Sequence, residues 1–323
     1  MTSSSRPTDG PIRIGISACL LGQKVRFDAG HKHDRYVTDV LGPFFTFVPV
    51  CPEVGVGMGV PRESVRLEGT PDHPRMVGNK TGADWTDRVD RYARARVRES
   101  DLRDISGYIL KKDSPSCGME RVRVYKPSGM ADRTGRGLFA VHLMEQFPLV
   151  PFEEEGRLND ARIRDNFIVR VFAYHNLQSL FRDRFDRGEV VRFHTVNKYL
   201  LLAHSPKHYT LLGALVAAIK EHSPAEFKEK YSALFMEALA NKTTPRKNVN
   251  VLHHILGFLK NDLPADDKKY VLDVIDDYGD GLVPLIVPLT LVRNYIRKYN
   301  VEYIADQTYL NPHPKELMLR NHV

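Results

Sequence analysis

The chain has 323 residues, of which 42% are hydrophobic and 27% charged, and its net charge is +7. That length favours two domains, and the composition is typical of a globular protein whose domains bury their own cores. Three cysteines are too few, and odd in number, for a secreted disulfide scaffold, while the moderate positive charge permits a polyanionic partner without requiring one.

The N-terminal residues 1–11 are polar and rich in Ser, Thr, Pro and Gly. Because they contain no apolar signal-peptide core, we predict a disordered tail here and a cytoplasmic location for the protein. No apolar run in the sequence approaches the roughly 20 residues that a membrane-spanning helix needs, so we expect no membrane partner.

Residues 12–150 show strand patterns alternating with helical ones. Three short apolar segments are predicted strands, namely residues 12–18, 44–50 and 105–110. Residues 85–100 are a predicted helix with charged residues over most of its surface. This alternation is typical of a parallel sheet covered by helices, so we predict a Rossmann-like α/β domain.

The pattern changes after residue 150. A Pro, three consecutive Glu and a Gly predict a linker over residues 151–160. Strand signals are scarce beyond it, and Ser223 followed by Pro224 is a typical helix start. We therefore predict an all-helical domain over residues 161–323. Its predicted helices are residues 161–186, 207–220, 225–240, 246–260, 267–278 and 289–299.

Each of the three cysteines follows a predicted strand. Cys19 and Cys51 come directly after the first two strands, and Cys117 follows the third after a short loop. Because the carboxyl ends of parallel strands meet at one edge of a sheet, we predict that the three thiols converge there.

Three converging thiols have several possible uses. They can bind a zinc ion, although catalytic zinc sites usually include His or carboxylate ligands. They can also hold a cubane iron–sulfur cluster, which normally takes four thiolates and would here keep one iron open. The other interpretations are ordinary buried cysteines, or a redox pair with a spare thiol in a sequence that lacks a CxxC motif. The spacing alone leaves these alternatives open.

A carboxylate and a hydroxyl accompany two of the cysteines. Glu53 lies two residues after Cys51, and Ser114 and Ser116 precede Cys117. Beside a Lewis-acidic metal such groups can activate water and relay a proton, so Glu53 and Ser114 are candidate catalytic residues. The alternative is a surface carboxylate with turn or capping hydroxyls.

Three separated motifs together resemble the thiouracil desulfidase family, also catalogued as domain of unknown function 523. They are SACLLG at 17–22 with RFD at 26–28, CPE at 51–53 with GMGVPR at 57–62, and SPSCG at 114–118. The motifs occur in the family's order, and the resemblance covers roughly residues 12–150.

This resemblance implies a cofactor and a reaction. It implies a 4Fe-4S cluster ligated by Cys19, Cys51 and Cys117, with the fourth iron free. Glu53 and Ser114 match the family's acid/base positions. The implied reaction is a hydrolytic, non-redox removal of sulfur from a thiolated uracil, with the cluster as Lewis acid.

Four polar residues of the same domain are candidates for substrate binding: Arg26, Asp28, Lys111 and Ser116. Arg26 and Lys111 can neutralise cluster charge or contact the uracil ring or a phosphate, and Asp28 can orient Arg26. The alternative is a set of solvated loop charges.

The helical half resembles the companion domain catalogued as 1722, best over residues 193–205 and 244–252. Chains that fuse the two domains resemble desulfidases of 4-thiouridine in tRNA, so we expect thiolated tRNA as a partner. Cations fit phosphates and tyrosines can stack on bases. The candidate contacts are Lys198, Lys207, Arg246 and Lys247. An ordinary charged surface, or a protein-binding domain, is the alternative.

Three other functions are compatible with the sequence. They are a desulfidase of free thiouracil or another thiolated nucleoside, a non-catalytic iron–sulfur sensor or RNA-binding protein, and a zinc hydrolase. Metal analysis and sulfide release from thiolated tRNA distinguish them.

Overall fold

The computed structural model describes residues 10–321, and the chain divides after Asp160 into two compact units. Apart from residues 10 and 11, the predicted tail lies outside the described residues. The N-terminal unit mixes strands and helices, and the second, which we call the helical unit, is built from helices. This arrangement confirms the predicted fold class.

A parallel sheet forms the centre of the N-terminal unit. The described strands of this unit are β1 (Ile12–Ser17), β2 (Phe45–Val50), β3 (Val65–Thr70), β4 (His73–Gly78), β5 (Ile105–Leu110), β6 (Val122–Tyr125), β7 (Ala131–Gly135) and β8 (Phe152–Glu154). The first sheet has the order β2-β1-β5-β8, and each neighbouring pair is parallel. Every residue of β5 is buried, as expected for a strand covered on both faces.

A second four-stranded sheet was not predicted from the sequence. It has the order β4-β3-β6-β7, with antiparallel pairing in β3–β4 and β6–β7. Its strands are short and carry many Arg, Glu and Gly residues, so their apolar alternation is weak. Leu67, Met76 and Val124 of this sheet form a small core with Val89.

Helices cover the sheets of the N-terminal unit. They are α1 (Pro52–Gly55), α2 (Thr86–Arg96), α3 (Ser100–Arg103) and α4 (Leu138–Gln146). The predicted helix over residues 85–100 corresponds to α2, which ends at Arg96, with α3 following after a break.

The segment predicted as a linker differs from the prediction because it contains β8. Residues 152–154 pair in parallel with the end of β5. Glu153 and Glu154 are buried, and both have partners: Arg157 contacts Glu153 at 2.6 Å, and the Met119 amide donates to Glu154 at 2.9 Å. Two consecutive acidic residues can therefore lie in a buried edge strand because each carboxylate is bonded.

The helical unit contains all six predicted helical segments. Its described α-helices are α5 (Ala161–Leu180), α6 (Arg187–His204), α7 (Pro206–Ala217), α8 (Pro224–Ala240), α9 (Pro245–Leu256), α10 (Ala265–Gly279), α11 (Ile286–Lys298) and α12 (Glu302–Ala305). The Ser223 hydroxyl caps α8 by accepting from the Glu226 amide, as predicted. The sequence analysis missed α6, which begins at an Asp186 cap.

One face of α8 forms the aromatic core of the helical unit. Phe227, Tyr231 and Phe235 recur every four residues, are fully buried and stack at centroid distances of 5.5 and 5.9 Å. Side chains four residues apart lie on the same helix face, so this spacing places all three rings against the neighbouring helices. Within the described residues, no helix combines the length and the apolar character needed to cross a membrane.

Candidate active site

The three cysteines lie at the carboxyl edge of the parallel sheet. Cys19 sits in a short 3₁₀ turn after β1, Cys51 directly follows β2, and Cys117 lies in the loop after β5. Because β2, β1 and β5 are adjacent and parallel, their ends share one edge. All three are free thiols and line one cavity of about 320 Å³, which we call the cysteine cavity.

Burial suppresses ionisation of these thiols. It raises the pKa of Cys19 to about 11 and that of Cys51 to about 12, with the Glu53 charge as the next cause. Burial also raises the pKa of Cys117 well above its ordinary value, although the Ser17 hydroxyl hydrogen-bonds its sulfur and opposes the shift. Thiolates bind metals, so a bound cation is what would make all three ionise near neutral pH.

The three thiols share one cavity, as the ligands of a single iron–sulfur cluster would. In the described part of the chain, no group of three or more His, Cys, Asp or Glu side chains is arranged to hold a single metal ion. In an iron–sulfur cluster each thiolate ligates its own iron, so three thiols can share one inorganic core without meeting at one atom.

Glu53 is placed beside Cys51 by the start of α1. Cys51 is the N-cap residue, Pro52 follows at the first helical position, and Glu53 lies in the first turn. The Cys51 thiol hydrogen-bonds one carboxylate oxygen of Glu53 at 3.4 Å, and the hydroxyl of Ser116 donates to the other.

Ser116 connects Glu53 to Ser114. The Ser114 and Ser116 hydroxyl oxygens are 3.3 Å apart, and the Ser114 oxygen also accepts the Cys117 amide at 3.1 Å. Ser116 is fully buried and is not among the described residues that line the cavity, whereas Ser114 and Glu53 are. The structure therefore places Ser116 behind the cavity wall, where its hydroxyl contacts Glu53. This position differs from the prediction that Ser116 contacts the substrate.

Gly137 lets α4 hold the loop that carries Ser114 and Cys117. A Cβ at position 137 would overlap the backbone carbonyl of Ser116. The close approach allows the amides of Leu138 and Phe139 to donate to the carbonyls of Pro115 and Ser116, both at 3.0 Å. The loop is thereby fixed to the first turn of a helix.

Basic side chains outnumber acidic ones around the cysteine cavity. Arg26 and Lys111 line it, whereas Asp28 does not: its carboxylate lies 3.5 Å from Arg26 and is exposed. The Lys111 ammonium is held by Glu155 at 2.5 Å. Lining cations that the sequence analysis missed are Lys32, Arg62 and Lys112, and the lining acids are Glu53, Glu63 and Asp113.

Of the four predicted RNA contacts of the helical unit, two are exposed and two are bonded to other residues of the unit. Lys207 and Arg246 are exposed. The Lys198 ammonium bonds the Tyr303 hydroxyl at 2.6 Å and lies over the rings of Tyr199 and Tyr303 at 4.8 and 4.4 Å. Lys247 instead bonds the carbonyl of His204, at the end of α6, at 2.7 Å.

Comparison with known families assigns both units. Residues 14–155 match the model of the 2-thiouracil desulfurase family. Residues 198–314 match a model described as a protein of unknown function, DUF1722. The N-terminal unit therefore contains a 2-thiouracil desulfurase domain and the helical unit a DUF1722 domain, which confirms the resemblance noted in the sequence.

Two individual proteins are similar to this chain. Uncharacterized protein YbgA of Escherichia coli strain K12 is 28% identical over 165 residues, which are 51% of this chain and 98% of that protein. The solved structure of the [4Fe-4S]-dependent thiouracil desulfidase TudS is 30% identical, covers 46% of this chain and 94% of its own, and has a TM-score of 0.37.

Proposed function

We propose that the chain is a 4Fe-4S-dependent desulfidase that converts 4-thiouridine in tRNA to uridine and hydrosulfide. The observation that carries the proposal is one cavity that combines three thiols with a carboxylate and a hydroxyl. The cavity lies in a domain of the 2-thiouracil desulfurase family, and thiolates are the ligands that select iron–sulfur clusters.

Cys19, Cys51 and Cys117 would hold the cluster. When bound, it would supply a Lewis-acidic iron with affinity for the soft sulfur of a thiocarbonyl group. The Ser17 hydroxyl stabilises negative charge on the Cys117 sulfur and so favours ligation.

The chain's own residues would move the protons. The Glu53 carboxylate takes a proton from water as the water oxygen attacks the carbon that bears sulfur. Ser116 bonds Glu53 and lies next to Ser114, so a proton can pass along these three groups to the departing sulfur. The C=S bond is replaced by a C=O bond, sulfur leaves as hydrosulfide with one proton of the water, and the second proton is released to solvent. The sum is hydrolysis, which consumes no electrons.

The charges of both units favour a polyanionic substrate. Five basic and three acidic side chains line the cysteine cavity, so a phosphate-bearing nucleoside is attracted to it. In the helical unit, the exposed Lys207 and Arg246 offer cations for RNA phosphates.

Sulfide release by the full chain tests the proposal. Protein reconstituted with iron and sulfide without oxygen should release one hydrosulfide per 4-thiouridine lost from tRNA. Glu53→Gln should reduce turnover by about 100-fold or more with unchanged iron content. Glu63→Gln is the matched control, because Glu63 lines the same cavity but bonds Thr81 and the Lys80 amide. Full activity of Glu53→Gln would refute the role of Glu53.

Comparing substrates tests the assignment to tRNA. The proposal expects a higher kcat/KM for thiolated tRNA than for free 4-thiouridine or thiouracil, and a rate on tRNA that falls steeply with salt. Preference for the free base, with no salt effect, would support the free-thiouracil alternative. A cluster-loaded protein that binds tRNA and releases no sulfide would support the sensor alternative.

A further inference from the structure

The helical unit contains a second cavity, of about 60 Å³, at the start of α9. We call it the α9 cavity. Small-molecule pockets usually have volumes of roughly 300 Å³ or more, so a nucleoside does not fit here, whereas one small ionic group does. Its described lining residues come from α5, the end of α6, the segment before α9, α9 itself, α10, the residue before α11 and the C-terminal segment.

Arg320 is a buried cation of this cavity whose guanidinium is incompletely hydrogen-bonded. It is 8% exposed, and one guanidinium nitrogen donates to the Tyr309 carbonyl at 2.7 Å. Its Nε has no hydrogen-bond partner among residues 10–321. A buried charge normally has a partner because desolvation is costly, so the protein alone leaves this guanidinium incompletely bonded.

The surroundings of Arg320 add positive potential. The cavity lies at the N-terminus of α9, a helix of 12 residues capped by Thr244, where the helix dipole places partial positive charge. Lys242 and Arg162 also line the cavity. Arg320 is close enough to Arg293 that, together with burial, it lowers the pKa of Arg293.

The remaining titratable groups of the α9 cavity do not cancel this charge. Among the described lining residues Asp165 is the single acid, and its carboxylate lies 3.5 Å from the His313 ring. Burial lowers the pKa of His204 to about 4, so this lining side chain is neutral near pH 7. The cavity therefore presents more cationic than anionic side chains.

We propose that the α9 cavity binds one phosphate group, held by the Arg320 guanidinium and the N-terminus of α9, with Lys242 and Arg162 adding charge. Guanidinium groups match phosphate oxygens in geometry and charge. The group is either a free phosphate ion or a phosphate carried by an RNA, which present the same oxyanion to these residues. This inference does not depend on desulfidase activity.

Titration with inorganic phosphate tests the site in the full-length protein. Calorimetry at constant ionic strength should give a Kd of about 1 mM or tighter. Arg320→Gln and Lys242→Gln should each weaken binding by about 10-fold or more, because each removes a charged partner. Lys242 is exposed, so this variant keeps the test valid if Arg320→Gln does not fold.

Lys220→Gln is the matched control, since Lys220 is an exposed lysine of the same unit that does not line the cavity. It should bind phosphate as the wild type does. Absence of phosphate binding by the wild type would overturn the proposal. So would an equal weakening in Lys242→Gln and Lys220→Gln, since that pattern reports general charge instead of a site.

Unthiolated tRNA distinguishes the two sources of phosphate without involving catalysis. If RNA supplies the group, phosphate should compete with tRNA at matched ionic strength, and Lys242→Gln should weaken both ligands by similar factors. If free phosphate is the ligand, Lys242→Gln should leave tRNA affinity unchanged while still losing phosphate. Either pattern supports the site and identifies its source, and neither depends on sulfide release.

Discussion

Replacing Ser116 by Ala removes one hydroxyl from between Glu53 and Ser114. Ser116 is fully buried and bonds the Glu53 carboxylate, and its hydroxyl oxygen lies 3.3 Å from that of Ser114. The backbone carbonyl of Ser116 accepts the amides of Phe139 and Ala140, at 3.0 and 3.1 Å, and keeps these bonds in the variant. The change is therefore confined to the hydroxyl's contacts with Glu53 and Ser114.

The expected loss follows from the kind of hydrogen bond removed. A hydrogen bond to a charged group contributes about 1.5–3 kcal/mol. If that contribution is lost in the transition state, turnover falls by about 10- to 150-fold. The iron content should not change, because no cysteine contact is removed.

The assay is single-turnover release of sulfide without oxygen, with iron measured on the same sample. Ser64→Ala is the control, since Ser64 lines the cysteine cavity but bonds Asn79 at 2.7 Å. Ser116→Thr, which keeps the hydroxyl, should restore part of the rate. A wild-type rate for Ser116→Ala, together with an inactive Glu53→Gln, would refute the proton path through Ser116.

Three further predictions concern the loop, the core and the thiols. Gly137→Ala should lower the free energy of unfolding by roughly 1–3 kcal/mol and lower the iron content, because the new Cβ meets the backbone of the loop that carries Cys117. Gly213→Ala is the control and should change neither quantity, because the space around Gly213 is open. Phe235→Ala should reduce the free energy of unfolding of the helical unit by roughly 3–5 kcal/mol, seen in thermal melting, while iron content stays constant. In metal-free protein, burial raises the pKa of Cys19 from 9.0 to about 11. Alkylation of Cys19 at pH 8 should therefore be about 100-fold slower than in the unfolded chain, and it should accelerate as the pH rises toward 11. Fast alkylation at pH 8 would contradict the burial of this thiol.

The sequence predicts the convergence of the thiols because that depends on local order along the chain. Cys19, Cys51 and Cys117 each follow a strand with a readable apolar pattern, and parallel strands leave few ways to arrange their ends. The helices from α7 to α11 are similarly readable, because caps such as Ser223 mark where they begin.

Contacts between distant segments cannot be predicted from such local sequence patterns. The bond from Ser116 to Glu53 joins residues 63 positions apart and depends on how a loop is held against α4. Helix α6 packs against α7, α8 and α9, so its apolar residues are spread around the helix and do not form the single stripe that signals an amphipathic helix. The α9 cavity likewise draws Arg162, Lys242 and Arg320 from separate segments.

The short helix α1 ties Cys51 to Glu53 within a single turn. Under the proposed function, this turn fixes the cluster ligand and the proton acceptor relative to each other. Arg26 and Arg62 reach the cavity from two loops that are hydrogen-bonded to each other, because Arg62 donates to the Val25 and Phe27 carbonyls. A substitution in one of these loops is therefore expected to displace the cation that the other loop carries.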